Sequence, residues 1–223
     1  YQSVEEALET YREILTMVGA FAANEIAPHA AALDAEGLRL EGGEVIAPSA
    51  HDRIFEGIND LGLHALCVPR EFDGMNAPLM LYMLTAEIFS RADVSVMTHH
   101  SFHGGIAMAL LMYSALEGTT EVDRSEKVIV SSRFEAAIRE IAAGEAWGCM
   151  DITEPDAGSD MAALRTRAVL DDAGLWRLTG QKIFITSGHG KWHFVIARTE
   201  DPDPSGDAFA GLKGLSLFLV QAY

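Results

Sequence analysis

Cysteine, positive charge and long apolar runs are all scarce in this chain of 223 residues, and each scarcity excludes something. The cysteines are Cys67 and Cys149, far apart, and neither has a second Cys or a His at zinc-ligand spacing. Both lie among apolar residues, which predicts core packing and no metal site. Lys and Arg total 16 against 33 Asp and Glu, a formal charge of −17. A surface that acidic repels phosphate backbones and anionic membranes, so nucleic acid is excluded as a partner. One anionic ligand held by backbone amides is still compatible with that field. No apolar run reaches the roughly 18 residues of a membrane span. The polar, amphipathic start resembles neither a secretory signal nor a transit peptide, and the expected compartment is the cytoplasm. Several motifs are missing too. No Gly-x-Gly-x-x-Gly follows a strand, Gly188-His-Gly-Lys191 lacks the rest of a phosphate loop, and there is no Gly-x-Ser-x-Gly.

What is present is apolar patterning, at 49% of the residues, enough for a sizeable core. Up to about Gly144 the period is helical. Val4, Leu8, Tyr11, Leu15, Val18 and Ala22 form one stripe, and Pro28 predicts an end or kink near Ile26-Ala27. Gly42-Gly43 and Pro48 mark a loop, and Ser49 is placed to start a helix running to about Gly62. Leu66 to Pro69 reads as a short extended piece. Helices are predicted over 78–91, 94–117 and 124–143.

Beyond Gly144 the runs become short, β-branched and aromatic. Strands are predicted for Trp147–Ile152, Leu164–Leu170, Leu175–Thr179, Lys182–Thr186, His193–Arg198 and Leu215–Val220. Asp171-Asp-Ala-Gly174 reads as a hairpin turn, and 200–214 as a solvated loop. Helices first and antiparallel strands afterwards predict an α+β chain, with a helical domain over 1–145 and a β-barrel-like domain over 146–223.

Chemistry concentrates in two segments. Met150-Asp-Ile-Thr-Glu-Pro-Asp-Ala-Gly-Ser-Asp160 ends an apolar run in small and acidic residues, and Gly180-Gln-Lys-Ile-Phe-Ile-Thr-Ser-Gly188 ends one in hydroxyls and glycine. Taken alone, the first is a capped turn after a strand. As a pair, the segments resemble the flavin-binding segments of the acyl-CoA dehydrogenase family. Phe21-Ala-Ala-Asn-Glu-Ile-Ala-Pro28, Leu61 to Gly74 and Glu87 to Ser95 resemble its helical segments, so the likeness runs from about residue 10 to residue 221.

The resemblance implies a helical N-terminal domain, a central β-domain and a C-terminal helical bundle. It also implies noncovalent FAD and oxidation of an acyl-CoA thioester to the trans-2-enoyl form, with electrons passed to an electron-transfer flavoprotein. The intact protein would be a homodimer or homotetramer. By the same resemblance, Thr153 meets the edge of the flavin ring, with Met150 and Ile152 beside it. Gly158 and Ser159 approach the pyrophosphate, and Ser159 also touches acyl-CoA. Phe184 stands where many members carry tryptophan against the flavin, Ile185 follows, and Thr186 reaches toward N5. These residue types suit a flavin site, because small residues let amides approach phosphates and hydroxyls donate to flavin carbonyls and ring nitrogens.

The chain also departs from the family. Asp151 replaces a small residue, and its carboxylate is expected to turn away from the flavin. The segment 118–140 is longer than usual, as in a larger bacterial branch. No residue matches the catalytic glutamate of the bundle, so the chain is expected to be an inactive fragment without its base. Glu154, before Pro155 in a turn, is expected to be structural. His99, His100 and His103 are expected to pack along a helix bordering the acyl pocket, with Met108 and Met112 as adaptable apolar lining. Other readings kept open are an acyl-CoA oxidase or another flavoprotein of the same fold, and a non-catalytic flavin- or acyl-CoA-binding module.

Overall fold

The computed structural model describes residues 1–201 and 210–222, which divide into two compact units, Tyr1–Trp147 and Gly148 onward. In the first unit α1 spans Val4–Phe21 and begins at Ser3, whose hydroxyl accepts the Glu6 amide at 3.1 Å. Pro28 has no N–H to continue the ladder. The helix accordingly loosens into a π turn at Ala22–Ile26 and a 3-10 turn at Ala27–His29, then resumes as α2, Ala30–Glu36. The loop predicted at Gly42-Gly43 is the turn of a small hairpin, β1 (Arg39–Glu41) against β2 (Glu44–Ile46). Helices α3 (Ser49–Asp60), α4 (Leu79–Ala92) and α5 (Val94–Leu116) follow. Asp93 starts α5, its carboxylate accepting the Val96 amide at 2.9 Å. Val18, Ile26, Ile54, Ile58, Leu63, Phe89 and Val96 form the buried core of these helices. Each large side chain of that kind contributes roughly 1.5–3 kcal/mol on burial.

Two expectations fail in this unit. Leu66–Pro69 is not extended; it lies between 3-10 turns at Leu63–Ala65 and Arg70–Phe72. The helix predicted over 124–143 forms only as α6, Glu135–Ala142, because a hairpin precedes it, β3 (Thr120–Asp123) against β4 (Val128–Ser132). The β-branched run Val128-Ile-Val favours a strand. Asp123 closes the turn by accepting the Ser125 amide at 2.8 Å and the Glu126 amide at 3.2 Å.

The second unit is built on a five-stranded sheet of β5 (Gly148–Asp151), β6 (Arg167–Leu170), β7 (Trp176–Thr179), β8 (Trp192–Arg198) and β9 (Leu215–Gln221). Helical unit then sheet unit is the predicted order, but the sheet is mixed rather than antiparallel throughout. β8 pairs antiparallel with β9 and parallel with both β5 and β6. β5 pairs with β8 from Trp192 to Val195, and β6 meets β8 only at Arg198. The chain leaves the sheet between those two pairings, and that excursion holds Thr153–Asp160. The β6–β7 turn forms at Asp171–Gly174 as predicted, with the Asp171 carboxylate accepting the Ala173 and Leu175 amides at 3.0 and 2.9 Å. The strand predicted at Lys182–Thr186 is absent: Phe184 and Ser187 take φ of 56° and 58°, which breaks an extended run. The loop predicted over 200–214 lies, from 202 to 209, outside the described residues.

Candidate functional site

The two motif segments meet in the second unit. The Ile183 amide donates to the Thr153 carbonyl at 2.9 Å. Lys182 Nζ donates at 2.9 Å both to the Ile152 carbonyl and to Glu154 Oε1. Glu154 also accepts the Arg165 amide at 2.6 Å and the Thr166 amide at 2.9 Å. Its carboxylate is therefore buried but saturated with donors. Burial alone would raise its pKa, and the hydrogen bonds from Thr166, Arg165 and Lys182 outweigh that and hold it at about 2. Such a group pins the two segments together and is a poor proton acceptor, which fits the structural role expected of it.

Around that pin the expected site residues fall in two places. Ile152 and Thr153 leave β5 half-buried, with Met150 exposed just before them. Gly158 and Ser159 lie exposed on the turn, and their amides make no hydrogen bond among the described residues. Gly158 has no positive φ, and a Cβ built on it would meet nothing within 4 Å. Neither backbone conformation nor protein packing therefore calls for glycine there. Ile185 is half-buried and Thr186 exposed, and Phe184 is 89% exposed while held at positive φ.

Four features go beyond what the sequence predicts. Lys182 is not a strand residue but the buried partner of Glu154, although Lys in an apolar run is itself a signal. Gly180 packs so closely that a Cβ would lie 2.2 Å from Thr166 Oγ1. Arg198 is buried and, among the described residues, has no carboxylate within hydrogen-bond reach. Its guanidinium donates to the carbonyls of Leu164, Lys213, Ala162 and Gly211 at 2.9–3.2 Å, tying the Met161–Ala163 turn to the Ala210–Leu212 turn. Lastly, Cys149 is not surrounded by apolar groups alone. The parallel register of β5 and β8 sets it opposite His193, with Asp151 two residues on along the same face. Cys149 Sγ donates to Asp151 Oδ1 at 3.1 Å and lies 3.0 Å from His193 Nδ1, which lies 2.8 Å from Asp151 Oδ2. The Asp151 carboxylate is thus turned toward β8. Burial and then Asp151 push the Cys149 thiol well up, and the bond to Asp151 raises His193.

In the first unit His99, His100 and His103 lie buried along α5 and, with His64, pack as rings. His64 stacks on His103 at 4.1 Å between centroids, and Phe55, His99 and Trp147 close around them. Burial, with neighbouring histidines adding to it, lowers His64 to about 3 and His103 to about 2, and burial lowers His100 to about 4. These are neutral aromatic core residues.

Comparison with known proteins identifies both units. Residues 8–124 match the acyl-CoA dehydrogenase N-terminal domain, and 149–222 match the middle domain of the same family. The chain is 34% identical to 3-methylmercaptopropionyl-CoA dehydrogenase of Ruegeria pomeroyi over 96% of its own length and 35% of that protein's. Its fold matches butyryl-CoA dehydrogenase of Megasphaera elsdenii with a TM-score of 0.69 at 19% identity, covering 95% of this chain and 48% of that one. It also matches an acyl-CoA dehydrogenase of Bacillus anthracis, solved in complex with FAD, with a TM-score of 0.67 at 23% identity, covering 96% and 30%. The chain spans about a third to a half of the length of these relatives. Among the described residues no helix is long and apolar enough to cross a membrane. The matches to both domains make the chain a member of the acyl-CoA dehydrogenase family.

Proposed function

We propose that these two domains supply the flavin-facing half of an FAD-dependent acyl-CoA dehydrogenase. The observation that carries the reading is the junction of the motif segments, where the hydrogen bond from the Ile183 amide to the Thr153 carbonyl and the Glu154–Lys182 pair join the Thr153 turn to the segment that leads into Phe184–Thr186. The residues present fit the cofactor: Gly158 and Ser159 offer amides in open space that are unpaired among the described residues, and Phe184 offers a bare ring. FAD, when bound, supplies a hydride acceptor for the substrate β-carbon.

The chain's own residues bind and orient. Gly158 and Ser159 hold the pyrophosphate through their amides, and Ser159 also contacts acyl-CoA. Thr153 and Thr186 donate to the polar edge of the ring, favouring the charge it carries when reduced. Met150, Ile152, Phe184 and Ile185 pack against it and exclude water. None of the carboxylates at this junction is assigned as base. Glu154 is committed to Lys182 and stays ionised, and we assign the α-proton to a glutamate of the bundle that follows these domains in the family. The electrons pass to an electron-transfer flavoprotein, and the working protein is a homodimer or homotetramer.

The test uses the protein that carries these domains together with that bundle. Flavin absorbance should bleach on anaerobic addition of an acyl-CoA. A flavin that no acyl-CoA bleaches would mean different chemistry. Failure to bind FAD would overturn the assignment of Thr153, Ser159 and Thr186.

A further inference from the structure

We propose that Cys149, Asp151 and His193 form a binding site for a divalent transition-metal ion of the zinc class. These groups are the described set whose ligand atoms converge, all within 4.8 Å of one another. Thiolate, imidazole and carboxylate together suit zinc or cobalt rather than calcium or magnesium, which prefer oxygen alone.

Three observations support more than proximity. The first is rigidity: the site is anchored on paired strands, since Cys149 and His193 are register partners of β5 and β8. Side chains on strands hold ligand geometry better than side chains on loops. The second is ring orientation. His193 Nε2 lies 3.0 Å from the Gly190 carbonyl, which can only accept, so Nε2 carries hydrogen and Nδ1 is the nitrogen aimed at Cys149 and Asp151. A second hydrogen bond from the far nitrogen to a carbonyl is how metal-binding histidines are usually oriented.

The third is charge. With Nε2 protonated, the short Nδ1 contact to Asp151 needs a proton as well, so the metal-free cluster is an imidazolium, a carboxylate and a thiol. Its sum is neutral. Replacing the Nδ1 proton and the thiol proton by a divalent cation leaves imidazole, carboxylate, thiolate and metal, again neutral. The exchange therefore costs no net charge in a site where Cys149 is fully buried and Asp151 nearly so. Cys149 Sγ lies 3.1 Å from Asp151 Oδ1 and 3.0 Å from His193 Nδ1, which lies 2.8 Å from Asp151 Oδ2. These are hydrogen-bond spacings, so the donors must spread by some tenths of an ångström to hold a tetrahedral zinc at about 2.0–2.3 Å. Asp151 and His193 keep part of their side chains accessible, 10% and 18%, which leaves an approach for the ion and for a water as further ligand.

The experiment is a titration of the purified metal-free protein with cobalt(II), read as a difference spectrum against the same protein plus chelator so that any flavin absorbance cancels. Zinc is titrated in parallel by equilibrium dialysis with elemental analysis. The expected result is a saturable thiolate-to-cobalt charge-transfer band and one zinc per chain. The band should vanish in Cys149→Ser. Zinc affinity should fall by more than about tenfold in Cys149→Ser, Asp151→Asn and His193→Gln. Should Cys149→Ser not fold, Cys67→Ser decides: a band that survives it belongs to Cys149, and a band that disappears with it overturns the site. No saturable band in the wild-type protein, or zinc retained by all ligand variants, also overturns it and leaves the three groups as a hydrogen-bonded triad.

Discussion

The two units bury titratable side chains in opposite ways. In the helical unit His64, His100 and His103 are buried neutral, stacked on one another and on aromatic rings, and among the described residues His64 Nδ1 and His100 Nδ1 have no hydrogen-bond partner. In the sheet unit the buried Glu154 and Arg198 and the half-buried Lys182 are charged, and each is held by two or more hydrogen bonds. Helices consume most of their own backbone groups, and among the described residues His100 reaches the Leu63 carbonyl at 3.2 Å and His103 the His99 carbonyl at 3.1 Å, one ring nitrogen each. An interrupted sheet leaves carbonyls and amides exposed at its turns, and those can solvate an ion. The difference teaches where each unit is vulnerable: one to gaining protons, the other to losing partners.

Acid should produce the largest effect and should separate the units. The folded pKa values of His64, His100 and His103 are about 3, 4 and 2, all below the ordinary 6.5. The unfolded chain therefore binds protons first as pH falls below 6.5, and the helical unit loses stability all the way down toward pH 4, by several kcal/mol. Glu154 acts lower, because its carboxyl sits at about 2 instead of 4.5. Its contribution is complete above 4.5 and lost only as pH falls from there toward 2. Peptide-resolved hydrogen exchange between pH 7 and 4 should show protection lost first in α3 and α5 and later around Glu154. Equal loss in both regions above pH 4.5 would break the comparison.

Removing a partner should hurt the sheet unit next most. Lys182→Ala leaves the Glu154 carboxylate buried with its cation gone, at a cost of about 3–5 kcal/mol. The double change Lys182→Met with Glu154→Gln removes both charges and should recover part of that loss. Urea unfolding read by Trp fluorescence measures both. A single variant as stable as the wild type would show that the amides of Arg165 and Thr166 suffice. Gly180→Ala ranks lower, at about 1–3 kcal/mol, because its methyl must displace Thr166, backbone Cα included.

What is legible in the sequence follows from the range of the forces involved. Helix α1, the Pro28 break, the Asp171 turn and the order of helices before strands all arise between near neighbours, and all are in the structure, although the apolar stripe of α1 is covered only from Tyr11 on, with Val4 and Leu8 exposed. The β3–β4 hairpin is obscured because its apolar run is short enough to read either way. Parallel pairing of β5 with β8 is not legible, since it joins residues more than forty apart, and with it goes the convergence of Cys149, Asp151 and His193. The motif residues are found by resemblance. Their meeting rests on Lys182, whose partner lies in the other motif. The absent strand at Lys182–Thr186 has the same origin: that segment bonds to the Thr153 turn instead of to a neighbouring strand.

The smallest expected effect concerns Phe184 and carries opposite signs for stability and for function. Its φ of 56° is costly for a residue with a Cβ, and its ring gains little from burial while 89% exposed. Phe184→Gly relieves the backbone but gives the unfolded chain more freedom, so the flavin-free protein should gain no more than about 1 kcal/mol. FAD affinity should fall, because the ring is the apolar cover assigned to one flavin face. Thermal unfolding without flavin and fluorescence titration with FAD read the two sides separately. A variant that is destabilised and still binds FAD as tightly as before would mean that Phe184 serves the loop and not the cofactor. The strain would then have to be explained by the loop's own packing, through Ile185 and the buried Ser187 beside it.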